Sequence, residues 1–77
     1  MSVSLPVVTG PEAIKAFGKV GFVEVRVKGS HHVLKKDGHR FLIVVPVHGS
    51  RPVAPGTLRS LITVAALTVE EFIALLD

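Results

Sequence analysis

"FVEVRVKGSHHVLKKDGHRFLIVV", residues 22–45, decides the fold. Val23, Val25 and Val27 alternate with Phe22, Glu24, Arg26 and Lys28, the two-residue period of a strand with one apolar face. Gly29-Ser30 makes a short turn. A second strand begins at His31 and runs to about residue 36, and Asp37-Gly38 is the strongest short hairpin signal in the chain. A third strand follows over about 39–45 and stops at Pro46, which has no N–H to give a sheet ladder. A two-residue turn at Asp37-Gly38 pairs Lys36 with His39, Leu34 with Phe41, His32 with Ile43 and His31 with Val44. Adjacent strand residues point to opposite faces, so His31 and His32 part company. The third strand is apolar on both sides, which leaves open which histidine meets the core.

Outward from this hairpin pair, "TGPEAIKAFGKVG" (9–21) predicts a helix over about 10–20. Thr9 and Glu12 fit a capping box, and Pro11 suits an early helical position. Ala13, Ile14, Phe17 and Val20 form the apolar stripe, and Gly21 is a stop. "VHGSRPVAPG" (47–56) reads as a long loop rich in Gly and Pro. A helix over about 56–65 presents Leu58, Leu61, Ile62 and Ala65 on one side and breaks near Ala66-Leu67. A short helix over about 69–76 restarts behind a second capping box, Thr68 with Glu71. The order α-β-β-β-α, with the short helix appended, predicts an α+β fold: a two-layer domain over residues 1–77, its three-stranded antiparallel sheet covered by helices on one face. The other face is left exposed, or used.

Seventy-seven residues suffice for one domain that buries roughly 60% of its unfolded surface, so a partner can matter thermodynamically. The chain has no cysteine, which excludes disulfides and thiolate zinc sites. No apolar run approaches the roughly 18 residues of a membrane span, and "MSVSLPVVTG" lacks a basic signal region. A soluble, cytoplasmic protein with no membrane partner is the expectation. The net charge of +3 is unevenly spread. Lys28, Lys35, Lys36, Arg40, Arg51 and Arg59 face only Asp37 in the middle of the chain, whereas Glu70, Glu71 and Asp77 end it without Lys or Arg. A basic middle suits a polyanion.

Three of the four histidines, His31, His32 and His39, lie in this basic stretch, and His48 follows in the loop. His31 and His32 diverge too far to share a metal ion, and no HExxH motif exists, so the expectation is no metal and no cofactor. An imidazole titrates near 6.5 and can take and return a proton. RNA carries its own nucleophile, the 2′-hydroxyl, so a base and phosphate-binding cations such as Lys28, Lys35, Lys36 and Arg40 suffice for chemistry. The same residues without catalysis would make an RNA- or DNA-binding surface, and a strand histidine can equally be structural. Paired carboxylates and a phosphate-binding loop are absent, and four Phe with no Tyr or Trp argue against base stacking.

Residues 5–62 also resemble the HicA (YcfA-like) toxin family. The likeness is carried by Gly21-Phe22 after the first helix, Gly29-Ser30-His31 opening the second strand, and the Asp37-Gly38 hairpin. Pro46 with His48-Gly49, and Pro55-Gly56-Thr57-Leu58-Arg59 opening the second long helix, complete it. The resemblance implies a fold like the double-stranded-RNA-binding domain. It implies a metal-independent mRNA interferase, neutralised by a HicB-like antitoxin, with RNA as substrate. It places the catalytic histidine at His31, with His32 as the alternate, in the Gly29-Ser30-His31 segment. RNA-backbone contacts are expected at Gly29 and Ser30 of that segment, at the cations Lys28, Lys35, Lys36 and Arg40 from their charge, and at Arg59 as an extension of that surface. Gly29 would let RNA backbone come close. The C-terminal "LTVEEFIALLD" (67–77) departs from the compact family pattern and either extends the core or serves a dimer or antitoxin interface.

Overall fold

The computed structural model describes residues 4–76; Asp77, part of the acidic tail, lies outside them. Helix α1 spans Gly10–Gly18 and strands β1, β2 and β3 span Val23–Lys28, His31–Lys35 and Ile43–Pro46. Helices α2 and α3 span Pro55–Val64 and Val69–Ala74. The strands form one antiparallel sheet in the order β1-β2-β3. This is the expected α-β-β-β-α arrangement, consistent with a double-stranded-RNA-binding-domain-like fold.

Both capping boxes form. The Thr9 hydroxyl accepts from the Glu12 N–H, the Glu12 carboxylate accepts from the Thr9 N–H at 2.8 Å, and Thr68 and Glu71 repeat the exchange at α3. Satisfying two otherwise orphaned donors fixes where each helix starts. Helix α1 stops at Gly18, earlier than the apolar stripe suggests. A turn then leads to Gly21 at φ +103, a conformation that glycine adopts without steric penalty.

Ala13, Ala16 and Phe17 of α1, Leu58, Leu61 and Ile62 of α2, and Leu34, Ile43 and Val45 of the sheet make one core. The helices therefore cover the face of the sheet that carries Leu34, Ile43 and Val45. Phe72 of α3 is fully buried with its ring centroid 5.1 Å from that of Phe17. The appended short helix thus extends the core. Gly10 starts α1 hard against the end of β3, where a Cβ would lie 2.6 Å from the Pro46 carbonyl oxygen and 2.8 Å from a Val47 methyl. The N-terminal segment is pinned to the long loop, with the Val53 N–H donating to the Val8 carbonyl at 2.7 Å.

The third strand corrects the sequence reading. It starts at Ile43 rather than His39, and its register pairs His31 with Pro46, His32 with Val45, Val33 with Val44 and Leu34 with Ile43. Asp37-Gly38 does form a turn, closed by the His39 N–H to the Lys36 carbonyl at 3.0 Å. Gly38 has φ +79 while Asp37 is not left-handed. That is the φ pattern of a type II turn, whose twist splays the flanking strands instead of pairing them. The strands rejoin only at Ile43. A slip of two residues preserves which side chains face the core. Pro46 is itself paired, and the ladder continues through the Val47 N–H to Ser30; an edge strand can absorb one missing N–H.

Candidate nucleic-acid interface

Gly29-Ser30 is the tighter turn. Gly29 has φ +59, Ser30 does not, and Lys28 pairs directly with His31, the pattern of a type II′ hairpin with glycine first. A Cβ on Gly29 would meet nothing within 4 Å, so the turn conformation accounts for this glycine.

Direct pairs share a sheet face. Lys28 is opposite His31, Arg26 is opposite Val33, and Val23 is opposite Lys35. With Val44 opposite Val33, these define the open face. On the other face Val27 is opposite His32 and Glu24 is opposite Leu34. A β-bulge between Glu24 and Arg26 produces this split. The sequence alternation placed Glu24 with Arg26 and Lys28; the structure separates them. Without the extra residue, Glu24 would pair with Lys35 and put a carboxylate among the cations, since a one-residue slip moves side chains to the opposite face.

His31 is exposed, and its side chain makes no hydrogen bond or ion pair among the described residues. His32 is half-buried, its Nδ1 2.5 Å from a Glu24 carboxylate oxygen. Lys28 and Lys35 lie on the same face as His31, with Gly29 and Ser30 at its end. His31 and Lys35 are four residues apart, about 13 Å at strand rise. Lys36 points to the other side, where its Nζ sits 5.6 Å from the Phe22 ring centroid and its stem lies against Gly21. Arg40 lies in the loop after the type II turn, its guanidinium 5.9 Å from the Phe41 ring centroid. Arg59 is exposed on α2, in the helix layer. The seven backbone-contact candidates thus divide: Lys28, Gly29 and Ser30 gather around His31, Lys35 shares its face farther along β2, and Lys36, Arg40 and Arg59 do neither.

The other two histidines are accounted for separately. His39 donates from Nε2 to the Val64 carbonyl at 2.6 Å, closing the C-terminal end of α2, and its ring meets Phe22 edge-on at 5.2 Å. His48 is exposed in the loop, where its carbonyl accepts from the Arg51 N–H. Among the described residues no three His, Cys, Asp or Glu side chains come together as metal ligands, and no helix is long and apolar enough to cross a membrane.

Two participants escaped the sequence reading. Arg26 was visible in principle: a two-residue turn at Gly29-Ser30 pairs Lys28 with His31 and so carries Arg26 to the same face. Glu24 as the partner of His32 was not, because the regular valine alternation gives no sign of the bulge.

Comparison with known proteins adds one finding. A family model described as the HicA toxin of bacterial toxin–antitoxin systems matches residues 10–67. No curated protein matches the chain.

Proposed function

The chain belongs to the HicA toxin family of bacterial toxin–antitoxin systems, and from that premise we propose that it is an endoribonuclease that cuts mRNA without a metal, with His31 as its general acid–base. As a toxin of such a system it has an antitoxin for a partner. A HicB-like protein, in a toxin–antitoxin hetero-oligomer, is the proposed one. Cytoplasmic action on mRNA follows from the same reading.

The observation that carries the proposal is the pairing of an exposed, unpartnered His31 with Lys28 at the mouth of a tight hairpin. The imidazole takes the proton of a 2′-hydroxyl as that oxygen attacks the adjacent phosphorus. The 5′-oxygen leaves with a proton returned to it, and the products are a 2′,3′-cyclic phosphate and a 5′-hydroxyl end. Lys28, directly opposite His31, neutralises charge that grows on the phosphate oxygens, the effect worth most where water is excluded by bound substrate, and Lys35, farther along the same face, attracts the rest of the RNA backbone. A positioned base contributes about 10²–10⁴-fold.

One observation favours a second reading. The Glu24 carboxylate on His32 Nδ1 orients that ring, as a carboxylate orients a catalytic imidazole elsewhere. Cleavage of a defined RNA in EDTA by the native chain, His31→Ala and His32→Ala separates the two. Loss only in His31→Ala, with cyclic phosphate ends in the native digest, supports the proposal; loss only in His32→Ala transfers the role. An RNA retarded on a gel but left intact by the native chain would make the protein an RNA- or DNA-binding module.

A further inference from the structure

Arg26 belongs to none of the roles assigned so far. It is exposed, sits directly opposite Val33 on the open face, and lies one cross-strand diagonal from His31. Diagonal neighbours are about 7–8 Å apart at Cα, within reach of a long side chain. Along β1 it is two residues from Lys28, about 6.6 Å at strand rise, a step that an extended RNA strand can match from one phosphate to the next. Among the described residues neither Arg26 nor Lys28 nor Lys35 has an ion-pair partner. The nearest acid along β1, Glu24, is turned to the far face by the bulge and taken up by His32. An exposed guanidinium with five donors in a fixed fork, on a face to which the three strands bring no carboxylate, is suited to phosphate.

We propose that Arg26 forms a second phosphate site, holding the phosphate next to the one at His31, so that single-stranded RNA runs along β1 over the open face. The inference rests on the RNA-cleavage reading above and adds to it the path of the strand. Arg26 is a binding residue in this scheme: it grips a phosphate that does not react. Its loss therefore weakens capture of substrates that possess that phosphate and leaves a dinucleotide, which has only the reacting phosphate, untouched.

The test compares the native chain, Arg26→Gln, Arg26→Lys and Lys15→Gln, the last a control for net charge on exposed α1. Two substrates are used, a dinucleotide and an oligoribonucleotide of about ten residues, and binding of a 2′-deoxy version of the longer strand is followed against salt. Arg26→Gln is expected to raise KM about tenfold on the longer RNA with kcat unchanged, and to leave dinucleotide cleavage alone. The slope of log K against log salt should fall by about 0.7, one phosphate's worth for a single strand. Arg26→Lys should restore most of the slope, and Lys15→Gln should match the native chain. Equal losses on both substrates would put Arg26 at the reacting phosphate and overturn the site. An unchanged salt slope, or losses that track a fall in Tm, would also overturn it. If the native chain cuts neither RNA yet the slope still falls, the phosphate site stands and the nuclease reading alone fails.

Discussion

On the helix-covered face of the sheet the polar side chains have partners within the protein: His32 holds Glu24, His39 closes α2 through Val64, and Lys36 lies over Phe22. On the open face Arg26, Lys28, Lys35 and His31 have none among the described residues. Strands β1 and β2 supply Glu24, His32 and the whole open-face set, and Lys36 and His39 come from the turn that follows β2. Groups that spend their hydrogen-bonding capacity inside the molecule hold its shape. Groups left exposed and without a partner are available to an anion, as a binding face requires.

The largest effect that can break this comparison is on catalysis. His31→Ala should lower single-turnover RNA cleavage by about 10²–10⁴-fold while changing stability by no more than about 0.5 kcal/mol, the scale of an exposed substitution. His32→Ala should do the reverse, lowering Tm while cleavage falls less than about tenfold. The opposite result would mean that the partnered face is the reactive one.

Adjacent residues of β2 sharpen the same contrast in stability. Leu34 is fully buried and Val33 only partly so. Leu34→Ala should cost about 2–5 kcal/mol in urea unfolding, through lost burial and a cavity, and Val33→Ala about 1 kcal/mol or less. Similar costs would mean that the open face is covered in solution, by a second copy for instance.

Much of this arrangement could be read from the sequence, and the exceptions have local causes. Both helix starts were legible because Thr9-Glu12 and Thr68-Glu71 carry their own hydrogen-bond pattern. The two glycine turns teach more. Gly29-Ser30, the weaker signal, makes the tight hairpin, because glycine stands where the first central residue must be left-handed. Asp37-Gly38, the stronger signal, has glycine second. That order serves type I′ when the aspartate is also left-handed, but type II when it is not, and the one-letter code does not distinguish them. The bulge at Glu24 was hidden for a related reason: valines at 23, 25 and 27 satisfy a regular strand as well as an interrupted one. Which histidine meets the core depended on β3, whose two faces are equally apolar until the helices select Ile43 and Val45.

Gly10 gives a backbone version of the contrast. A Cβ there collides with the Pro46 carbonyl beneath α1, whereas one on Gly18, at the far end of the same helix, meets nothing within 4 Å. Gly10→Ala should destabilise by about 1–3 kcal/mol through overpacking. Gly18→Ala should stabilise by about 0.4–1 kcal/mol, mainly by narrowing the unfolded ensemble. Thermal unfolding of the two variants checks both signs, and matching signs would show that α1 does not rest on β3 as described.

Glu24→Gln should have a smaller effect. The pair with His32 is partly exposed, with side-chain accessibilities of 40% and 23%, so its loss should cost no more than about 1 kcal/mol. Cleavage should be unaffected if His31 is the base. A fall in kcat with an altered pH profile, at unchanged Tm, would instead identify Glu24 as the positioning residue of a His32 mechanism.

The smallest effect concerns the covered face alone and depends on pH. The Glu12 carboxyl is held below its ordinary value of 4.5, first by the Thr9 backbone N–H and then by the Thr9 side chain, with slight opposition from burial. A depressed carboxyl pKa means that the folded state binds its proton less readily than the unfolded chain. The stabilisation is therefore complete above the unfolded value and is lost as pH falls through the folded one. Comparing Tm of the native chain with Glu12→Ala should show a constant difference around neutrality that shrinks below about pH 4.5. Because the carboxylate closes the N-terminus of α1, its protonation loosens the helix that covers β3 and leaves Arg26, Lys28 and His31 where they are. RNA affinity measured through the same acid range should accordingly not follow the Tm difference. If the two fell together, the covered and open faces would be mechanically coupled, and the division of labour between them would have to be abandoned.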